Sequence, residues 1–351
     1  MKKRTSIHDI AKQLNISATT ISFVLNGKAD EKRISEDVRK KVLDHVKRVG
    51  YQPNMVAKSL RTGKTNIIGM LVEDISDPFF SSISRGVESI AYKHGYKIFF
   101  ASTENDTEKT KTLIKVFKER QVDGYIIAPP PGVEAEINDL MEDNIPVILF
   151  DRYLPSINVS TVLIDNFSGA YQAVKHLEKN GFSNIAFITL NSEQTQMQAR
   201  LQGYLKAVEE SVQDPIVVKL PYKISHELSA ETLVQEFIQQ KDKIDAIVFA
   251  TNYLAINGLK AIQNLRLSIP DDIAVVGFDD NTHFHLFSPS ITAVAQPIEE
   301  ISEEVVKQLL DALSDENESR KRRTVTLPVK LIVRNSSVSE TKKKTLRAIR
   351  T

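Results

Sequence analysis

Polar side chains that can hold hydroxyl groups stand at or just beyond the ends of several apolar runs. They are Asp77, Asp151 with Arg152, Asn252 and Asp279. Carboxylate, amide and guanidinium groups orient polar small molecules in pockets. Each also has a possible structural role, because Asp77 before Pro78 is a favourable helix N-cap and the other acids can cap helices or form ion pairs.

From Asn66 onward, apolar runs alternate with amphipathic segments of helical period. We predict strands at 67–72, 97–101, 124–128, 147–150, 162–164, 185–189, 216–219, 246–250, 273–277 and 292–295. We predict helices at 80–94, 107–120, 168–180, 196–210, 228–240, 254–264 and 298–313. Strands that are apolar throughout and separated by helices indicate parallel sheets covered on both faces. We therefore expect an α/β fold with two doubly wound lobes and a cleft at the carboxyl ends of the strands.

The N-terminal region instead shows two short helices joined by a tight turn. The first carries its apolar residues on one face: Ile7, Ile10, Ala11 and Leu14. The second does the same with Ile21, Val24 and Leu25. Ser6 with Asp9 has the form of a capping box, Ser17 can cap the second helix, and Gly27 can end it. Such a pair forms a helix-turn-helix, whose second helix normally enters the DNA major groove; small bundles that bind no DNA share the pattern.

The charge of the chain is segregated along its length. Residues 1–62 hold 14 Lys and Arg against 6 Asp and Glu, a net charge of +8. Because the whole chain carries +1, the remainder carries −7. A basic headpiece on an acidic body indicates a polyanionic partner for the headpiece. A merely solvated basic face would not explain the segregation.

Composition excludes several classes of protein. The 351 residues are 41% hydrophobic and 26% charged, as in soluble globular proteins. No apolar run reaches the ~18 residues of a membrane span, and no apolar signal segment follows the basic N-terminus. The chain has no cysteine, which excludes disulfides, thiolate metal sites and cysteine nucleophiles. We expect a cytoplasmic protein that does not act at a membrane.

The order of the N-terminal parts is similar to that of a known family. The matching stretches are DIAKQLNIS at 9–17, TTIS at 19–22, VLNG at 24–27, RIS at 33–35, VGYQPN at 49–54 and AKSLRTGKTNIIG at 57–69. Over nearly its whole length the chain resembles the lactose-repressor (LacI/GalR) family of bacterial transcription regulators. The resemblance implies a headpiece, a hinge helix that pairs with its twin in a homodimer, and a core like a type I periplasmic binding protein.

We expect the following domain boundaries. The headpiece covers 1–53, the hinge helix and linker 54–65, the core 66–334 and a polar tail 335–351. Within the core, the N-lobe comprises about 66–163 plus 291–323, and the C-lobe about 164–290 plus 324–334. The chain would thus cross between lobes near Ile164, Ser290 and Thr324. The tail lacks the leucine heptads of a tetramerising coiled coil.

The resemblance assigns base-reading positions to the second helix of the headpiece. Its first, second and sixth residues face the bases, and here these are Ala18, Thr19 and Phe23. Phe23 replaces the usual arginine of the family, so it can only contact a thymine methyl group or pack in the core. Leu60 matches a leucine that wedges into the minor groove. The other predicted DNA contacts are Thr5, Ser17, Thr20, Ser22, Asn26, Asn54, Ala57 and Lys58; those at helix starts would look the same as caps.

The resemblance also assigns an effector site between the lobes. The family motifs match around Phe79, Asp151, Arg200, Asn252 and Asp279, which we predict to be ligand contacts. Tyr253 stands where the family often has Asp, so a ring that can stack replaces a carboxylate there. The implied effector is a small molecule, in this family most often a sugar or a sugar derivative. No cofactor and no metal is expected.

Signals for enzyme activity are weak. Gly63-Lys64-Thr65 resembles the end of a P-loop, but the first glycine of that motif would be Lys58, and the order of helix and strand is reversed. His283 and His285 could belong to a metal site on a strand, but no third ligand is evident and packing or surface roles are favoured. Nucleophile-elbow, dinucleotide and HExxH motifs do not occur in the sequence. We therefore expect no enzyme.

The sequence as a whole predicts a ligand-responsive repressor of carbohydrate-utilisation genes. It would bind a near-palindromic DNA operator as a homodimer, with half-sites about one helical turn apart. One alternative is a cytoplasmic sugar-binding or sugar-converting protein whose basic headpiece is incidental. Another is a constitutive DNA-binding protein with a vestigial cleft. Specific binding of duplex DNA that weakens steeply with salt would distinguish the repressor from the first alternative. Stabilisation of the protein by ligands would distinguish it from the second.

Overall fold

A computed structural model describes residues 6–51, 63–225, 228–240, 244–314, 322–339 and 342. The chain divides into two compact units, Met1–Thr65 and Asn66–Thr351. None of the described helices combines the length and the apolar character that crossing a membrane requires. The described part of the first unit contains helices and no strand, and the second unit is an α/β core.

The described part of the headpiece contains three helices, and side-chain caps mark the starts of the first two. They are α1 (Ile7–Leu14), α2 (Ala18–Leu25) and α3 (Glu36–Val49). The predicted capping box is present: the Ser6 amide donates to Asp9 Oδ2 at 2.9 Å, and the Asp9 amide donates to Ser6 Oγ at 3.2 Å. A cap of this kind contributes about 1 kcal/mol. Gly50 ends α3 with φ +62, a left-handed conformation that glycine adopts without strain.

One apolar cluster holds the headpiece together. Its buried members are Ile10, Leu14, Ile21, Val24, Ala29 and Val42. Val49 has helical spacing from Val42 but is 36% exposed, whereas His45 is buried with its Nε2 2.7 Å from Gln13 Oε1. Seven residues rotate a helix by only about 20° from a whole number of turns, so Val49 stays near the face of Val42 and its exposure follows from its place at the end of α3.

The first lobe is built on a six-stranded parallel sheet. Its strands are β1 (Ile67–Val72), β2 (Lys97–Ser102), β3 (Gly124–Ile127), β4 (Val147–Phe150), β5 (Ser160–Ile164) and β11 (Thr324–Leu327). Their order is β11-β5-β4-β3-β1-β2. The helices of this lobe are α4 (Pro78–Lys93), α5 (Thr107–Glu119), α6 (Glu134–Glu142) and α11 (Ile298–Ser314). Alternate strand residues face opposite layers: Met70 joins the core under α4, and Leu71 joins the core under α5.

The second lobe repeats the architecture with one antiparallel edge. Its strands are β6 (Ile185–Leu190), β7 (Ile216–Leu220), β8 (Ala246–Phe249), β9 (Ala274–Phe278), β10 (Thr292–Ala295) and β12 (Lys330–Ile332). Their order is β12-β10-β9-β8-β6-β7, with β12 antiparallel to β10. The helices are α7 (Asn166–Lys179), α8 (Thr195–Glu210), α9 (Leu228–Gln240) and α10 (Asn252–Asn264), with a helical turn at Tyr222–Ser225. The predicted fold of two doubly wound lobes is confirmed, although the sequence pattern missed β11 and β12.

Two of the expected crossings between lobes are wrong by several residues. β10 pairs with β9, so it belongs to the second lobe and the chain crosses after Ala295 instead of near Ser290. β11 pairs with β5, so it belongs to the first lobe and the chain crosses after Leu327 instead of near Thr324. Only the pairing partner reveals the lobe of so short a strand, because its own apolar pattern is the same in either sheet.

Candidate nucleic-acid interface and effector cleft

The first turn of α2 presents a small polar surface. Ser17 Oγ accepts the Thr20 amide at 3.0 Å and lies 2.8 Å from Thr20 Oγ1, which fixes the start of the helix. Thr19 is exposed and Ala18 is half-buried. Residues at this end of a recognition helix are the ones that reach base edges in helix-turn-helix proteins.

Phe23 lies on the same helix, one turn further on. It is half-buried and is not a member of the apolar cluster of the headpiece. The Nζ of Lys32 lies 5.6 Å from the centroid of its ring, within the range of a cation–π contact. Phe23 is therefore an aromatic group beside a cation at the edge of the headpiece, not a core residue.

The predicted phosphate donors of α2 are partly engaged within the helix. The Asn26 side chain donates to the Ser22 carbonyl oxygen at 2.7 Å and lies 3.2 Å from Ser22 Oγ. These bonds hold the two groups in fixed positions at the end of the helix. Five other predicted DNA contacts lie outside the described residues and stay predictions: Thr5, Asn54, Ala57, Lys58 and Leu60.

In the core unit, a cleft lies between the two lobes at the carboxyl ends of β1, β4, β6, β8 and β9. It encloses about 340 Å³, including its open mouth. All six predicted effector contacts line it: Phe79, Asp151, Arg200, Asn252, Tyr253 and Asp279. Residues far apart in sequence thus share one site, because parallel strands of both sheets end there.

Two of these residues reach the cleft through an unusual backbone conformation. Asp151 and Asp279 have φ of +67 and +65, a left-handed conformation that Asp tolerates better than most residues. The amide of Asp151 still bonds Val162 O at 3.2 Å, and the amide of Asp279 bonds Val294 O at 2.9 Å. Each residue therefore ends a strand and turns its carboxylate toward the cleft.

Arg152 is the centre of the acidic cluster on the first lobe. It is 3% exposed, and its guanidinium donates to Glu73 Oε2 at 2.6 Å, Asp151 Oδ2 at 2.8 Å and Asn105 Oδ1 at 2.8 Å. Burial by itself would lower the pKa of Arg152, but the charges of Asp151 and Glu73 raise it above its ordinary value. The cation is thus permanently charged and already bound to protein acceptors.

Arg200 plays the corresponding part on the second lobe. Its Nε donates to Asn166 Oδ1 at 2.8 Å, its Nη1 donates to Ala250 O at 2.6 Å, and Nη1 lies 3.6 Å from Asp279 Oδ2. Its guanidinium lies 3.6 Å from the ring centroid of Phe278. Burial raises the pKa of Asp279, and the charge of Arg200 partly opposes that rise.

Gly203 explains how α8 holds Arg200 at this position. A Cβ on Gly203 would collide with the backbone carbonyl oxygen of Phe167 on α7. The glycine therefore allows the two helices to approach closely, which brings the preceding turn of α8 against the cleft. This is the physical reason for the Arg-x-x-Gly spacing in the sequence.

Hydrogen bonds connect the two walls of the cleft. The Asn252 side-chain amide lies 3.1 Å from Asp77 Oδ2, and the Tyr222 side chain is hydrogen-bonded to Glu73. Burial, and secondarily the charge of Asp279, raise the pKa of Asp77 to about 6. Asp77 also accepts the Phe79 amide at 2.8 Å, so the N-cap role and the cleft role belong to the same side chain.

Aromatic rings form the apolar part of the cleft. Phe79 and Phe80 are buried and meet edge to face with centroids 4.9 Å apart. Tyr253 is partly buried, and burial followed by the charge of Glu73 raises the pKa of its hydroxyl. The rings stand beside the carboxylates, which suits a ligand that has both a hydroxyl-bearing edge and an apolar face.

Several lining residues were not predicted from the sequence. Glu73 follows β1 directly, so the same strand-end signal that indicated Asp151 would have found it. Gln196 lies four positions before Arg200 on α8 and therefore on the same helix face. Gln194 reaches across the lobes to Asn105 Oδ1 at 2.9 Å, and no pattern in the sequence indicates this pairing.

His283 and His285 lie in an exposed turn after β9, not on a strand as the sequence interpretation placed them. The ring of His283 is hydrogen-bonded through Nδ1 to Asn281 Oδ1 at 2.8 Å. Across the part of the chain that the structure describes, no group of three or more His, Asp or Glu is arranged to hold a metal ion.

Comparison with known proteins gives matches to both units. The model of bacterial regulatory proteins of the lacI family matches residues 6–54, and that of the periplasmic binding protein-like domain matches residues 174–337. The HTH-type transcriptional regulator RegA of Clostridium saccharobutylicum is 32% identical over 312 residues, which are 88% of this chain and 93% of that protein.

Solved structures share the fold. The lac repressor dimer bound to operator and the anti-inducer ONPF has a TM-score of 0.83 at 22% identity, over 96% of this chain and 100% of that one. A LacI family transcriptional regulator from Enterococcus faecium with bound ribose has a TM-score of 0.68 at 26% identity, over 78% of this chain and 98% of that one. With the headpiece, the two lobes and the cleft in place, these matches show that the chain belongs to the lacI family of bacterial regulatory proteins.

Proposed function

We propose that the protein is a ligand-responsive transcriptional repressor that binds a near-palindromic operator as a homodimer. One observation carries the proposal: the same chain holds an exposed, capped recognition helix and a cleft whose walls come from two lobes joined by hydrogen bonds. The operator-bound lac repressor dimer, which has the same fold, supports the dimeric arrangement. The protein would act in the cytoplasm, where the operator is, and the proposal includes no catalytic step.

On the DNA side, Thr19 and Phe23 are the proposed base-reading residues, with Ala18 beside them. Thr19 can donate to or accept from a base edge, whereas Phe23 offers an apolar surface to a thymine methyl group. Ser17, Thr20, Ser22 and Asn26 are the proposed phosphate contacts, and Leu60 is the proposed minor-groove wedge. Phosphate contacts supply much of the affinity, so binding should weaken steeply as salt concentration rises.

On the effector side, the six lining residues that the sequence predicted are the proposed contacts. Carboxylates and amides of both lobes would hold the hydroxyl groups of a sugar or a sugar derivative, and the aromatic rings would cover its apolar face. The ribose in the Enterococcus faecium protein supports this class of ligand. A ligand that contacts both lobes changes operator affinity only by its differential affinity for the two lobe arrangements.

The test is selection of genomic fragments by the full-length protein, followed by fluorescence anisotropy on the selected duplex. Specific binding should survive excess competitor DNA and should fall steeply with salt. If genes near the selected site encode enzymes or transporters for a sugar, addition of that sugar should change the measured affinity for the duplex. Absence of preference for any duplex would favour the sugar-binding alternative, and an affinity that no metabolite changes would favour the constitutive one.

A matched pair of variants locates the interface. Thr19→Ala, on the exposed face of α2, should weaken binding to the selected duplex by about tenfold, the scale of one lost base contact. Thr112→Ala, on an exposed face of α5 in the core unit, should leave it unchanged. Equal behaviour of the two variants would contradict the assignment of α2 as the reading helix.

A further inference from the structure

The charged residues of the cleft are unbalanced. Among the described residues that line it, four carboxylates (Glu73, Asp77, Asp151 and Asp279) face two guanidinium groups (Arg152 and Arg200). With all six ionised, the cleft carries two surplus negative charges. An anionic ligand such as a sugar phosphate or a sugar acid would add to that surplus.

Neither arginine is poised to receive an anion. Arg152 already donates to Glu73, Asp151 and Asn105 at 2.6–2.8 Å. Arg200 already donates to Asn166 and to Ala250 O at 2.8 and 2.6 Å. All three guanidinium nitrogens of Arg152, and Nε and Nη1 of Arg200, therefore already hold the walls of the cleft, and their charge is partly spent on the neighbouring carboxylates.

Asp77 and Asp279 approach the same point from different lobes. Asn252 lies between them: its side chain donates to Asp77 at 3.1 Å, and its backbone N–H is hydrogen-bonded to Asp279. The charge of Asp279 is one of the causes that raise the pKa of Asp77 to about 6, after burial. The two carboxylates thus repel each other across the cleft, and a cation beside them would relieve the repulsion.

A second observation points to a donor group on the ligand. Gln196 is 3% exposed and lines the cleft, and its Oε1 meets no hydrogen-bond donor among the described residues. A buried acceptor of this kind costs free energy unless a donor reaches it. A polyol hydroxyl could satisfy Gln196, but it could not offset the surplus charge.

We propose that the effector is an amino-polyol, such as an amino sugar, whose protonated amino group binds between Asp77 and Asp279. This rests on the proposed function of the cleft as the effector site. An ammonium group offers three donors and no acceptor, which fits a site rich in carboxylates. Because its two carboxylate partners belong to different lobes, the amino group would also link the lobes. The remaining hydroxyl groups would meet Gln196 and Asp151.

The test uses matched pairs of probes on the full-length protein at about pH 7.5, measured by isothermal titration calorimetry and thermal shift. D-Glucosamine is compared with D-glucose, 1-amino-1-deoxysorbitol with sorbitol, and glucose 6-phosphate serves as the anionic probe. Charge-assisted hydrogen bonds predict that an amino compound binds about tenfold more tightly than its hydroxyl counterpart. Equal or tighter binding of the neutral or phosphorylated probes overturns the proposal, as does the failure of both amines to bind.

Variants test the role of Asp77. Asp77→Asn removes the charge but keeps an N-capping side chain, so it should weaken binding of the amine by about ten times more than it weakens binding of the neutral probe. Asp106→Asn is the matched control, because Asp106 is an exposed N-cap of the same lobe whose side chain accepts the Lys109 amide at 2.8 Å. If Asp77→Asn does not fold, Asp279→Asn replaces it. Amine affinity that survives the loss of either carboxylate overturns the proposal.

Operator binding, measured on the same preparation without ligand, separates this inference from the proposed function. Loss of preference for the selected duplex would contradict the function as a repressor. Preserved operator binding together with a preference for neutral ligands would contradict only the inference that the effector carries an amino group.

Discussion

The side-chain amide of Asn252 lies 3.1 Å from Oδ2 of Asp77, and this hydrogen bond joins one lobe of the core to the other. Further polar links join the lobes, from Tyr222 to Glu73, from Gln194 to Asn105 and from the Tyr153 amide to Thr195 Oγ1 at 3.3 Å. A single hydrogen bond contributes only about 1 kcal/mol net. The balance between lobe arrangements is therefore within the range that a small ligand can shift through its differential affinity.

Replacing Arg152 with Met should destabilise the fold strongly. Glu73 and Asp151, which are 5% and 7% exposed, would lose their cation and stay buried as unpaired charges. Breaking a buried pair in this way typically costs about 3–5 kcal/mol. Urea denaturation at neutral pH measures the free energy of unfolding. Arg85→Met, at an exposed position of α4, should change it by less than about 0.5 kcal/mol; similar losses in both variants would refute the argument.

Asp77→Asn should stabilise the protein at alkaline pH. The pKa of Asp77 is raised from 3.8 to about 6, chiefly by burial, so ionisation is less favourable in the folded state than in the unfolded state. The free energy of unfolding of the wild type therefore falls as pH rises from about 4 to about 6, and the ionised carboxylate then costs on the order of 3 kcal/mol.

The variant avoids this cost because Asn keeps the cap without the charge. The increase in the free energy of unfolding of the variant over the wild type should approach about 3 kcal/mol near pH 8. It should nearly vanish near pH 4, where the wild-type carboxyl is mostly neutral in the folded state. Thermal or chemical denaturation at the two pH values provides the measurement. A gain of equal size at both pH values would mean that burial of charge is not the cause.

Arg200→Met should uncouple effector binding from DNA binding. The flexible thioether side chain can keep apolar contact with Phe278, but the links to Asn166, to the Ala250 carbonyl oxygen and to Asp279 are lost. We expect the effector to lose about tenfold in affinity, while operator affinity without effector is retained. Anisotropy titrations with and without effector measure both quantities. Lys206→Met, at an exposed position of α8, is the control, and a normal response in Arg200→Met would remove this residue from the site.

Phe23→Arg should change which bases the protein prefers. An arginine at this position can donate two hydrogen bonds to guanine, which is worth about 1–3 kcal/mol of discrimination. Selection of bound sequences from a random pool should then show guanine enriched at one position in each half-site. His8→Arg adds the same charge at an exposed position of α1 and should raise affinity without a new preference. Identical selected sequences for the wild type and Phe23→Arg would contradict the assignment.

The sequence by itself determined the local structure of this protein. Apolar residues at i, i+3, i+4 and i+7 in α1, the capping box of Ser6 and Asp9, and the apolar runs of β1 and β4 depend only on neighbouring residues. Such patterns fix helices, strands and the class of fold because their periods are properties of the backbone. Motif resemblance then indicated which strand-end residues to examine.

Only the tertiary structure decided the partnerships within the cleft. Arg152 and Glu73 are 79 positions apart, and Asn252 and Asp77 are 175 positions apart. Their meeting depends on the order of strands in two sheets and on the approach of two lobes, which no local period encodes. The same reason explains β10 and β11, because the local sequence of neither strand encodes the sheet that it joins.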